Sequence, residues 1–157
     1  MTTLQQVLVK VKQALISAPE LLNDEDIDTA DLTYQQGVQA FKERDYEGAL
    51  TCFTAAVIQL PFNATYSFAL GMTYHALHEE REAIGFYVRA WVLDASNPSS
   101  CFRLGQCYFA LNDYSDAIEA TKAAIQLSKN EPRYKLIFTL SNQLLDKIVQ
   151  KQQQHCR

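Results

Sequence analysis

The chain has 157 residues, 48% hydrophobic and 20% charged, with a formal net charge of −4. That length and balance suit one domain with a continuous core and exclude a disordered chain. No run approaches the roughly 18–20 apolar residues of a bilayer span, and the acidic balance argues against nucleic acid, which calls for a basic surface.

At the N-terminus, Leu4, Val7, Leu8, Val11 and Leu15 recur at helical spacing and predict an amphipathic helix over about 3–17. Lys10 and Lys12 interrupt it where a signal peptide would need an unbroken apolar core. Beyond Pro19 comes an acidic stretch, with Glu20, Asp24, Glu25, Asp26, Asp28 and Asp31 and no base among them. It reads as a solvated linker; an electrostatic docking strip is the sharper alternative. Residues 1–29 thus form an N-terminal helix and linker, and Asp28 or Thr29 is placed to cap the helix that follows.

From residue 30 the sequence repeats. Gly37, Gly71 and Gly105 lie 34 residues apart, and Ala49, Ala83, Ala117 and Ala56, Ala90, Ala124 keep the same register. That period resembles the tetratricopeptide repeat, a helix–turn–helix unit that stacks into a solenoid with a concave binding face. Three repeats are expected, at 30–63, 64–97 and 98–131, in an all-α fold. The glycines are expected to face Ala49, Ala83 and Ala117 across each repeat, letting the two helices approach closely. Asn97 and Pro98 supply an N-cap and a first-turn proline. In the third repeat Thr121 stands where the earlier ones carry Phe53 and Tyr87, and Lys129 replaces Pro61. Pro132 opens a terminal helix within 132–157, whose stripe of Tyr134, Ile137, Leu140 or Ser141, Leu144 and Ile148 caps the last repeat.

The first helix of each repeat lines the concave face, and the register gives its exposed positions. Repeat one presents Tyr34, Val38 and Phe41; repeat two Phe68, Met72 and His75; repeat three Phe102, Arg103, Gln106 and Phe109. Five aromatic rings, a valine and a methionine make an apolar strip with a polar end, suited to an extended peptide with apolar anchors. A clamp for an acidic C-terminus, as in co-chaperones of cytosolic heat-shock proteins, is not expected. Tyr34, Val38, Ala69 and Ser99 occupy its positions, and only Arg103 fits.

Sites for other chemistry are lacking. There is no glycine-rich phosphate loop or nucleophile elbow. His75, His78, Glu79 and Glu80 are read as turn and helix residues rather than a zinc site. Cys52, Cys101, Cys107 and Cys156 have no paired spacing, so free thiols in a reducing compartment are expected, with Cys101 and Cys107 as small core residues. Trp91, on a second helix, is read as packing. No enzyme, cofactor or metal is expected.

Three stretches carry a more specific likeness. They are Gln39-Ala40-Phe41-Lys42-Glu43-Arg44-Asp45-Tyr46-Glu47-Gly48-Ala49, then Ala83-Ile84-Gly85-Phe86-Tyr87 running on to Leu93-Asp94-Ala95-Ser96-Asn97-Pro98, then Phe102 to Leu111. With the N-terminal helix, three repeats and terminal helix, they resemble class II chaperones of bacterial type III secretion, the SycD/LcrH type. The resemblance implies a protein of the bacterial cytoplasm that holds an extended segment of a secreted translocator in its groove before export. It also implies a possible homodimer, through the stripe of Leu4, Leu8, Val11 and Leu15, and in some members an association with a transcription activator. Ser17-Ala18-Pro19-Glu20 replaces a glycine-rich segment common in that family, which leaves a translocator or an effector open as client. The other reading of the repeats is a scaffold that joins subunits of another complex.

Overall fold

The computed structural model describes residues 24–155. Leu4, Leu8, Val11 and Leu15, with the helix expected over 3–17, lie outside the described residues. Seven α-helices and one 3-10 turn cover the rest: α1 (Asp24–Lys42), α2 (Tyr46–Gln59), α3 (Ala64–Ala76), α4 (Glu80–Leu93), α5 (Pro98–Ala110), α6 (Tyr114–Ser128), the turn Pro132–Tyr134 and α7 (Lys135–His155). Helices α1/α2, α3/α4 and α5/α6 form three antiparallel pairs, each packed on the next, with α7 against the last.

The turns explain how one sequence rule builds three identical corners. Arg44, His78 and Asn112, again 34 residues apart, all adopt left-handed backbone, with φ of 64°, 62° and 61°. Behind each, an amide reaches back to close the helix: Asp45 N–H to the Ala40 carbonyl, Glu79 to Tyr74 and Asp113 to Tyr108, all at 2.9 Å. The next helix is then capped by the Asp45 carboxylate, which accepts from the Gly48 N–H at 3.0 Å, or by Asp113, which accepts from Asp116 at 3.4 Å. Glu79 makes no such bond. Between repeats, Asn63 accepts from the Thr65 and Tyr66 amides, and Asn97 from Ser99 with Pro98 in the first turn. The Arg89 guanidinium on α4 also donates to the Pro61 carbonyl at 2.6 Å, tying the repeat-one turn to the repeat-two helix.

The acidic stretch is not a linker from Asp24 onward, nor do Asp28 and Thr29 cap a helix. Asp24 to Asp31 are helical, and the Thr29 hydroxyl donates to the Glu25 carbonyl within α1. Carboxylates at Asp24, Glu25 and Asp26 suit the first turn of a helix, where unpaired amides carry positive charge.

Each repeat glycine meets a side chain of the second helix, although not the alanine expected. A Cβ on Gly37 would lie 2.7 Å from the Phe53 ring, and one on Gly71 would lie 2.9 Å from the Tyr87 ring. At Gly105 it would collide with the Thr121 hydroxyl. Ala49, Ala83 and Ala117 are fully buried one turn away. The glycine is therefore a slot for a ring, and the alanine closes the helix pair beside it.

Register equivalence also shows how the stack ends. Tyr66, Leu70 and Thr73 are buried against the preceding repeat, yet their counterparts in α1, Leu32, Gln36 and Gln39, are exposed. At the other end, Ile137, Leu140 and Leu144 of α7 cover Cys101, Phe102 and Ala124, and Ser141 and Ile148 are buried too. Pro132 opens the 3-10 turn rather than α7 itself. Trp91, expected inside, is 38% exposed on α4, near Val88 and Val92 in sequence.

Candidate peptide-binding groove

The candidate residues fall on three first helices, α1, α3 and α5, and the second helices decide how deep each one sits. Tyr34 leans on Phe53 at 5.5 Å and stacks on Tyr66 at 4.9 Å. Phe68, its equivalent in repeat two, leans on Tyr87 at 5.4 Å. Both remain half-buried because a ring stands beneath them. In repeat three that ring is Thr121, and Phe102 is only 7% exposed, within the core cluster of Cys101 and Ala124. Phe102 is therefore a core residue and not a free wall of the groove. Thr121 was the signal for this: with no ring at that position, nothing props Phe102 outward.

Val38 and Phe41 pack partly onto the repeat-one core, and Phe41 meets Tyr46 edge-on at 5.3 Å. Met72 sits over the cluster of Ala83, Tyr87, Leu104 and Cys107. Phe109 is half-buried, 6.2 Å from Tyr114. Tyr34, Val38, Phe41, Phe68, Met72 and Phe109 thus form an apolar strip with one face committed to the core and the rest open.

The polar end joins α3 to α5. The His75 Nδ1 lies 3.7 Å from the Cys107 Sγ, and its ring meets Tyr87 edge-on at 6.3 Å. Burial pushes the His75 pKa down, aided by the Arg103 charge, so the imidazole is neutral at pH 7. Burial also pushes the Cys107 thiol up to about 12 and Cys101 up to about 11, which makes both unreactive. Arg103 donates to the Gln106 side-chain carbonyl at 3.0 Å.

Two groups escaped the sequence reading. The Tyr66 hydroxyl donates to the Asp31 carboxylate, an especially short bond between α3 and α1. Burial and that carboxylate both raise the Tyr66 pKa. No spacing rule links residues 31 and 66. The Tyr87 hydroxyl is buried without a hydrogen-bond partner among the described residues. Also among the described residues, no group of three or more His, Cys, Asp or Glu could hold a metal, and no helix is long and apolar enough to cross a membrane.

Models of the tetratricopeptide repeat match residues 34–100 and 98–131, so the body of the chain is built of tetratricopeptide repeats. Among solved structures, it superposes on the Yersinia enterocolitica type III secretion chaperone SycD in complex with a peptide of the translocator YopD. The TM-score is 0.78, with 23% identity, covering 83% of this chain and 99% of that one. It superposes equally on PcrH bound to the chaperone-binding region of PopD, with TM-score 0.78, 20% identity, and 84% and 97% coverage. PcrH is a Pseudomonas aeruginosa protein. At these identities the likeness establishes the fold. By sequence, the chain is 29% identical over 129 residues to DnaJ homolog subfamily C member 7 of Mus musculus, covering 82% of this chain and 26% of the relative. It therefore spans about a quarter of the length of that relative.

Proposed function

We propose that this chain is a type III secretion chaperone of the SycD/PcrH class, acting in the bacterial cytoplasm without catalysing a reaction. It holds an extended apolar segment of a secreted translocator, or of an effector, in the concave groove until export. The observation that carries the reading is the half-buried strip of Tyr34, Val38, Phe41, Phe68, Met72 and Phe109. Two structural neighbours in complex with translocator segments support it. A client that inserts into membranes exposes apolar segments prone to aggregation, and a groove of rings and a flexible methionine covers them while the client stays extended. A homodimer through Leu4, Leu8, Val11 and Leu15, and contact with a transcription activator, rest on the family resemblance alone.

Co-purification from the native bacterium tests the proposal, with a Val38→Asp/Met72→Lys variant as control. Both positions are half-buried on the groove strip. A secreted, membrane-active protein bound by the wild type and lost from a variant of unchanged helicity supports it. A folded cytosolic complex that survives the variant favours the scaffold reading, towards which the DnaJ-homolog relative points.

A further inference from the structure

We infer that the third-repeat end of the groove recognises an anion: Arg103 receives the carboxylate of an acidic side chain carried within the client's apolar segment. This rests on the peptide-groove reading above and adds a charge requirement to it.

Arg103 is half-buried on α5 and forms no ion pair among the described residues. Its one hydrogen bond goes to Gln106, a neutral acceptor that fixes the guanidinium and occupies one of its five N–H donors. The groups around it do not supply a counter-charge. His75 is neutral, and Cys107 is a protonated thiol. Glu80 is close enough for its charge to reach His75 and Cys107, yet it turns to the exposed His78, 4.0 Å from that Nδ1. A guanidinium in a partly desolvated wall with no anion opposite it is a site of unmet charge, and its planar fork fits a carboxylate.

The Tyr87 hydroxyl is the second, independent observation. Its ring passes against Gly71 and between Phe68 and His75, within the field of Arg103. The hydroxyl is fully enclosed and makes no hydrogen bond. Buried hydroxyls are seldom left so. Two unsatisfied donors of different helices, in one polar break of an apolar groove, are what a bound acid would complete. Lone guanidinium chemistry suits a single carboxylate; a phosphate dianion would call for further cations.

The probe is an array of short extended peptides with apolar residues at alternate positions, through which Glu, Gln or Lys is stepped one position at a time. Wild-type protein, Arg103→Gln and Arg103→Lys are compared, each first checked for an unchanged helical spectrum. The expected result is preferential binding of peptides with Glu at one position, by roughly tenfold over Gln, a span that matches a hydrogen bond to a charged group. Arg103→Gln abolishes that preference while apolar binding persists, and Arg103→Lys keeps part of it and holds the readout if the neutral variant misfolds. Apolar peptides bound with no preference for Glu, or a preference that survives Arg103→Gln, overturns the charge requirement and leaves the groove reading standing. If no apolar peptide binds any of the proteins, both fail together.

Discussion

Replacing Gly71 with alanine places a methyl carbon 2.9 Å from two carbons of the Tyr87 ring and 3.3 Å from a third. Carbon atoms rest at about 3.5–4.0 Å, so something must yield by about half an ångström or more. The ring has no free direction, because Tyr87 is fully buried and holds Phe68 and His75 against its faces and edge. Overpacking of this kind costs about 1–3 kcal/mol, against about 1 kcal/mol recovered from the better helix propensity of alanine. A net loss of about 1–2 kcal/mol follows, or a melting temperature lower by about 2–8 °C for a domain of this size. Gly85 is the internal control: a Cβ there meets nothing within 4 Å, on an exposed face of α4. Gly85→Ala is expected to raise stability by about 0.5–1 kcal/mol. Urea unfolding followed by circular dichroism compares the two directly. If Gly71→Ala proves as stable as Gly85→Ala, the ring-on-glycine slot does not set the spacing of α3 and α4.

The left-handed turns give a second test: His78→Gly removes the Cβ strain at φ 62° and stabilises by about 1 kcal/mol, read as a higher urea midpoint. Tyr66→Phe deletes the bond to Asp31 and costs about 1–2 kcal/mol, the lower end applying because Asp31 is exposed and regains water. His75 yields a pH test. Its folded pKa lies below the unfolded value of about 6.5, so the unfolded chain binds more protons in acid. Its contribution is complete above about pH 6.5 and is lost as pH falls towards the folded pKa. His75→Gln should therefore flatten the stability curve just below that pH, as measured by thermal unfolding across a buffer series.

The repeat architecture was legible because a period of 34 residues appears at glycine and alanine positions that cannot tolerate bulk. Caps at Asn97 and Pro98 were legible because their chemistry is local. Depth was not. Whether Tyr34, Phe68 or Phe102 faces the groove depends on residue 53, 87 or 121, sixteen or more positions away on another helix. The acidic segment was misread from Asp24 onward for a related reason. Charge composition alone cannot distinguish a linker from the first turns of a helix whose exposed face carries the carboxylates. Asp31 finds its partner at Tyr66 only once two repeats have stacked.

The exposed glutamines at the front of the stack bear on how molecules of this chain meet one another. A solenoid whose first face matched its internal joints would accept another copy's final helix, then another, and grow as an open filament. Gln36 and Gln39 stand where Leu70 and Thr73 make the internal joint, and Gln39 is held by its side-chain bond to Glu43 at 2.6 Å. A neighbour docking there would have to strip water from two amides without offering them partners. That polar front face opposes end-to-end growth, so crowding at high concentration favours discrete particles over fibres.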